Sequence, residues 1–126
     1  MKSLPIKSSL LALALTWAGF AAAGPAEQFD RGLLAAEQGD YQHAIQYWAP
    51  LALGGDAAAQ FNLGLLLHSG AGGKQDEKAA LEWYRRAAEN GHPLAQSYLA
   101  AGYLEGWFGL PKDPERARYW EQRLGY

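Results

Sequence analysis

The 126-residue sequence contains no cysteine. This absence excludes a disulfide framework, thiol catalysis and a thiolate metal site, because each of them needs a Cys side chain. It also removes the residue that would carry a lipid anchor behind a secretory signal. The stability and the function of this chain must therefore come from other side chains.

Histidine is scarce as well, and the chain has only His43, His68 and His92. No two of them stand at a metal-ligand spacing, and no His-Glu-x-x-His motif occurs. We interpret the three histidines as independent surface or boundary residues. The sequence therefore predicts neither a metal site nor a cofactor.

The other polar residues form no recognisable catalytic motif. Glu77 and Glu82 are five residues apart and do not share a helix face. Glu105 and Glu115 fall on different predicted helices, whereas general acid–base catalysis needs groups that converge in a cleft. The segment GAGGK, residues 70–74, lacks the Ser or Thr and the preceding strand of a phosphate-binding loop. The sequence thus predicts a protein that is not an enzyme.

A long apolar run is absent except near the N-terminus, where the pattern is that of a secretory signal. Lys2 and Lys7 precede an apolar run over residues 10–20, and the small residues Ala21–Ala23 follow. This order predicts that residues 1–23 are a cleaved signal peptide. The apolar run is too short to favour a membrane span. We expect a soluble mature protein that is periplasmic or secreted.

The remaining chain, residues 24–126, is mildly acidic. It carries 9 Lys and Arg residues against 13 Asp and Glu residues. This balance argues against nucleic acid and anionic membranes as partners, since both attract basic surfaces. We therefore expect no nucleic-acid partner, and we expect no stable membrane insertion of the mature chain because the apolar run leaves with the signal peptide.

An Asp, an Ala and an aromatic residue recur three times at one spacing. The three sets, separated by 36 and 37 residues, are Asp40, Ala44 and Tyr47; Asp76, Ala80 and Trp83; and Asp113, Ala117 and Trp120. A fixed period in this range indicates a stacked array of repeats. We expect three units, at about residues 26–55, 56–91 and 92–126.

Each unit reads as two helices. In the second unit, apolar residues at helical spacing predict a first helix from Ala57 to His68. Asp76 stands at the N-cap of the second helix, and Gly91 ends it as a residue that tolerates positive φ. Pro114 follows Asp113 at the first helical position of the last helix. The small residues Ala44, Ala80 and Ala117 predict a close approach of the paired helices. The sequence therefore predicts an all-α fold of three helix-turn-helix repeats, with six helices.

The second unit resembles the Sel-one-like repeat (SLR) family, a relative of the tetratricopeptide repeat. The matching positions are Leu63-Gly64, Gly70, Gly72, Asp76, Ala79-Ala80, Trp83-Tyr84, Ala87-Ala88 and Gly91. The third unit matches less fully, because Ala100 replaces the Gly of the pattern and one extra residue stands near Trp107-Phe108. The resemblance implies a short right-handed α–α solenoid that acts as a protein-binding scaffold.

The resemblance also implies a concave face lined by the first helix of each unit. The residues that map onto it are Phe29, Leu33 and Ala36; Phe61, Leu65 and His68; and Ser97, Ala101 and Leu104. Such a face would accept an amphipathic helix or an extended peptide. Alternatively, these side chains are buried against the neighbouring first helix.

A second feature that could contact a partner is the loop with the extra residue. Trp107 and Phe108 lie in this loop, where aromatic side chains could anchor a partner. Packing of the loop against the last helix is the favoured alternative.

Three functions remain compatible with the sequence. The first is a periplasmic adaptor that holds a partner protein on its apolar concave face. The second is an enzyme of cell-wall chemistry that binds or cleaves β-lactam-like compounds, an activity that the resemblance implies because some secreted relatives have it. Those relatives are rich in cysteine pairs, which this chain lacks. The third is a structural subunit of an envelope assembly.

Overall fold

The computed structural model of the protein describes residues 23–124, so the predicted signal peptide lies outside the described residues except for Ala23. Six α-helices and one short 3₁₀ turn make up the described chain, without a β-strand between residues 23 and 124. The helices are α1 (Pro25–Glu37), α2 (Tyr41–Leu53), α3 (Ala57–Ser69), α4 (Glu77–Glu89), α5 (Pro93–Glu105) and α6 (Pro114–Arg123), and the 3₁₀ turn is Trp107–Gly109. The predicted all-α class and the six helices are confirmed.

The helices pair in the order of the sequence. α1 packs on α2, α3 on α4 and α5 on α6, and the pairs are joined by the contacts of α2 with α3 and of α4 with α5. The second helices α2 and α4 therefore lie between their own first helix and the first helix of the next pair. This arrangement is the predicted solenoid of three helix-turn-helix repeats.

The second helix of every repeat begins with an aspartate cap. The side chain of Asp40 accepts a hydrogen bond from the backbone N–H of His43 at 3.3 Å. Asp76 accepts one from Ala79 at 3.0 Å. Asp113 accepts one from the N–H of Arg116 at 3.1 Å, and Pro114 follows it at the first helical position. These caps satisfy backbone donors that the first turn of a helix leaves unpaired, and they confirm the predicted helix starts.

The second helices end on glycine turns. Gly91 has a φ of +90°, and the next amide, that of His92, donates a 2.9 Å hydrogen bond back to the carbonyl of Ala87. Gly55 has a φ of +97°, and the amide of Asp56 donates a 3.0 Å hydrogen bond back to the carbonyl of Leu51 in the same way. A side chain at positive φ costs free energy, which explains why glycine recurs at this point of the repeat.

A buried glutamine behind each of these turns joins one repeat to the next. The Nε2 of Gln60 in α3 donates a hydrogen bond to the carbonyl of Ala52 in α2 at 2.9 Å. The Nε2 of Gln96 in α5 donates one to the carbonyl of Ala88 in α4 at 3.0 Å. Gln28 stands at the same position of α1 and donates instead to the carbonyl of Tyr47 in its own repeat, at 3.0 Å. An Ala-Gln pair occurs at residues 59–60 and again at residues 95–96, and in both cases its glutamine forms the hydrogen bond that joins two repeats.

Inside the first two repeats, an aromatic ring of the second helix lies directly on a glycine of the first. A Cβ on Gly32 would collide with the indole of Trp48, and a Cβ on Gly64 would lie 2.5 Å from Cε1 of Tyr84. In the third repeat, Ala100 stands at the position of the glycine and Glu121 at the position of the aromatic residue. The departure from the family pattern at Ala100 therefore has a physical reason: no ring needs the space.

The buried side chains form two clusters that share helices α3 and α4. Trp48 and Leu63 belong to the cluster between the first two repeats. Phe61, Tyr84 and Trp120 belong to the cluster between the second and third repeats. The predicted small residues Ala44, Ala80 and Ala117 are fully or almost fully buried, as their role in close helix packing requires.

Candidate partner-binding surface

Half of the side chains predicted to contact a partner are exposed. Leu33 is 39% exposed and Leu65 36%, and both occupy the same position in the first helix of consecutive repeats. Leu104 near the end of α5 is 52% exposed, and Trp107 in the following turn is 43% exposed. We call these four residues the leucine face. A contiguous patch of apolar side chains in solvent is typical of a surface that contacts a partner.

Phe61 lies in the core and not on this surface, which for this residue is the alternative of burial against the neighbouring first helix. It is only 5% exposed. Its ring stacks on His92 with a centroid distance of 4.4 Å and contacts Tyr84 and Tyr98, each at 5.5 Å. On a helical wheel, Phe61 stands opposite the residues of α3 that pack on the first two repeats, but the third repeat covers that side of the helix as well.

Phe29 and His68 are half-buried within the fold. The ring of Phe29 lies 5.9 Å from that of Trp48, and the carbonyl of Phe29 accepts a 3.1 Å hydrogen bond from the Trp48 indole N–H. Nδ1 of His68 lies 3.3 Å from the hydroxyl of Tyr84. Burial raises the pKa of Tyr84, so this hydroxyl stays protonated and can donate to the imidazole.

The loop with the extra residue folds back over the second repeat. Phe108 has a φ of +57°, in the left-handed region that residues other than glycine rarely adopt. Its ring lies 5.1 Å from His68 and 5.6 Å from Tyr84. The sequence favoured packing against the last helix, and the aromatic contacts of Phe108 are instead with α3 and α4. Trp107 meets Phe108 edge-on at 6.4 Å and remains half in solvent.

Ser97 and Leu104 line a groove of about 550 Å³ at the C-terminal end of the array. The groove lies between α5 and α6, beside Ala100 and Glu121. These are the positions where the first two repeats pair a glycine with an aromatic ring. The groove therefore exists because the third repeat has no ring there, and its rim carries the charges of Glu121 and neighbouring side chains of α6.

His92 has a structural role that sequence analysis missed. It caps α5 as Asp56 caps α3 in the second repeat. Nδ1 of His92 accepts a 3.3 Å hydrogen bond from the backbone N–H of Ala95. Only a neutral imidazole can accept this bond. Burial lowers the pKa of His92, and the nearby charge of Asp56 opposes this effect. The sequence signal for this cap is the position of His92, one repeat length of 36 residues after Asp56.

The described residues show no convergence of metal-ligating groups. Between residues 23 and 124, no three or more His, Asp or Glu side chains come close enough together to hold a metal ion. His43 forms an exposed pair with Asp40 at 2.6 Å, far along the chain from the other two histidines. In the same part of the chain, every helix is too short or too polar to cross a membrane.

The paired helices, their sequential stacking and the recurring caps define an α-solenoid of short helical repeats. A family model for the Sel1 repeat matches residues 29–56, 57–92 and 93–123. The chain therefore belongs to the Sel1 repeat family. It is also similar to the crystal structure of a Sel1 repeat protein from Oxalobacter formigenes, with a TM-score of 0.73 and 27% sequence identity over 90% of this chain and 88% of that one. Sel1 repeats generally mediate protein–protein interactions.

Proposed function

We propose that this protein is a secreted, periplasmic adaptor that holds a partner protein or peptide on the leucine face. The observation that carries the proposal is the pair Leu33 and Leu65, exposed at one position of two consecutive first helices. The buried core of the described residues is built without them. Their role is therefore better explained by a partner than by packing.

The spacing of the leucine face suits an elongated apolar partner. Its side chains come from the first helices of all three repeats and from the turn after α5. A peptide segment or an amphipathic helix laid across the array could contact these residues in succession. Trp107 would supply the largest apolar area, in a residue type that often dominates interface energy.

Capture of a partner from a periplasmic extract tests the leucine face. The baits are the unchanged protein, the Leu65→Glu variant and a matched control, Leu53→Glu. Leu53 stands at the end of α2, outside the leucine face, and is 75% exposed. We expect Leu65→Glu to abolish capture of a defined protein and Leu53→Glu to retain it. Circular dichroism must show that both variants fold. Equal capture by the two variants would exclude the leucine face.

Secretion is a separate part of the proposal and needs its own test. It is supported by the two early lysines, the apolar run and the three alanines at residues 21–23. Mass spectrometry of the protein recovered from a periplasmic fraction should give a chain that begins at Gly24. A chain of full length, found with the cytoplasmic fraction, would contradict secretion.

A further inference from the structure

A small apolar cavity lies between the first two repeats. Its volume is about 170 Å³, and its walls come from three helices: Ile45 of α2, Leu63 and Leu66 of α3, and Trp83 of α4. An engineered apolar cavity of about 150 Å³ in another protein binds benzene, so this space can hold a six-membered ring or a short branched chain.

The loop between α3 and α4 covers the cavity and is fixed in place. Gln42 of α2 donates a 2.7 Å hydrogen bond to the carbonyl of Gly72 in this loop. A Cβ on Gly72 would lie 2.8 Å from Cδ1 of Ile45, so the loop already touches the cavity wall. The cavity is therefore bounded on this side by ordered backbone.

The corresponding space between the second and third repeats is filled. There the loop after α5 contributes Phe108 and Leu110, which pack against the core. A Cβ on Gly102 would lie 3.3 Å from Cδ1 of Leu110. Gly102 stands at the position that Leu66 has in the second repeat. In the second repeat the loop provides Gly72 and Lys74 at this place, and the space stays open.

Lys74 gives the cavity a positive charge at its edge. It lines the cavity and is exposed. No ion pair or hydrogen bond within residues 23–124 involves its side chain. An ammonium group next to an apolar space is suited to a ligand with an apolar body and one anionic group.

We propose that this cavity binds a small monocarboxylic acid whose apolar body is an aromatic ring or a branched chain of similar size. The apolar body lies among Ile45, Leu66 and Trp83. The carboxylate lies at the edge, within reach of Lys74. This site is independent of the leucine face and does not depend on the proposed adaptor function.

Benzoate is the probe for this site, with benzyl alcohol and benzylamine as the neutral and cationic controls of the same shape. We expect saturable benzoate binding with a Kd of about 1 mM, as suits so small a ligand. In NMR spectra of the labelled protein, the indole N–H signal of Trp83, identified by its loss in Trp83→Phe, should shift on binding. Benzyl alcohol should bind more weakly, and benzylamine should not bind.

Two kinds of variant separate the charge from the cavity. Lys74→Met should weaken benzoate binding about fivefold, since a partly exposed charge pair contributes modestly. Lys78→Met, a change of the same type on α4, should leave it unchanged. Ile45→Phe should abolish binding by filling the cavity, and Gly72→Ala provides a second way to narrow it if the first variant does not fold.

The proposal fails in three cases. One is the absence of saturable benzoate binding or of a shift at Trp83. Another is equal binding of benzoate and benzylamine, which would show that the charge of Lys74 has no role. The third is unchanged benzoate binding in folded Ile45→Phe or Gly72→Ala protein, which would place the ligand elsewhere.

Discussion

At the scale of single residues, the pairing of a glycine with a ring sets the distance between the two helices of a repeat. Tyr84 lies on Gly64 so closely that the α-carbon has no room for a side chain. In an ordinary helix, replacing Gly by Ala stabilises the helix by about 0.5–1 kcal/mol. At Gly64 the new methyl group instead meets the ring, and the helices must separate or the ring must move.

We therefore predict that Gly64→Ala destabilises the protein by about 1–3 kcal/mol, the usual cost of overpacking a core. Urea unfolding followed by circular dichroism measures this change. Ala100→Gly, the reverse change at the equivalent position of α5, should cost only about 0.5–1 kcal/mol through helix propensity. A Gly64→Ala protein more stable than the unchanged protein would contradict the pairing.

His92 makes stability depend on pH in one direction. Because burial lowers the pKa of His92, the unfolded chain binds its proton more readily than the folded chain does. The stabilisation is complete above the unfolded pKa of about 6.5 and is lost as the pH falls through that value toward the lower pKa of the folded state. We predict that the free energy of unfolding decreases over this range.

The control for this prediction is His92→Asn, because asparagine caps a helix without titrating. The difference in the free energy of unfolding between the two proteins should change across this pH range, which removes the contributions of the other two histidines. Parallel pH profiles of the two proteins would show that His92 is not responsible.

At the scale of helices, local signals predicted where elements begin and end, and long-range packing decided what they bury. The Asp76 cap and the Gly91 turn of α4 depend on neighbours in sequence, and the structure has both. The predicted helix Ala57–His68 likewise differs from α3, Ala57–Ser69, by one residue. The burial of Phe61 depends on α5, some thirty residues further along the chain. The position of Phe108 depends on one extra loop residue, whose effect the repeat pattern could not define.

The glutamines that join the repeats also act at the level of helices. We predict that Gln96→Ala lowers the free energy of unfolding by about 1–3 kcal/mol, because it removes a buried hydrogen bond between α4 and α5 and leaves a gap. Gln28→Ala should cost less than about 1 kcal/mol, since Gln28 is only partly buried and joins no repeats. Equal losses in both variants would contradict a role of the glutamines in joining the repeats.

At the scale of the whole molecule, the stability of a stack of three repeats is the sum of the stability of each repeat and that of the interfaces between neighbours. The main contacts between repeats, those of α2 with α3 and of α4 with α5, join neighbours, so these interfaces carry the cooperativity of the array. Phe61 is central to the second interface, because its ring contacts His92 and Tyr98 of the third repeat. Leu65, one turn further along α3, is on the solvent side.

This difference gives the last prediction. Phe61→Ala should lower the free energy of unfolding by about 3–5 kcal/mol, and amide hydrogen exchange should accelerate first in α5 and α6. Leu65→Ala should cost less, about 1–2 kcal/mol, because 36% of Leu65 already lies in solvent. Comparable losses in the two variants would mean that Leu65 is part of the core, and the leucine face would then have to be explained by packing rather than by a partner.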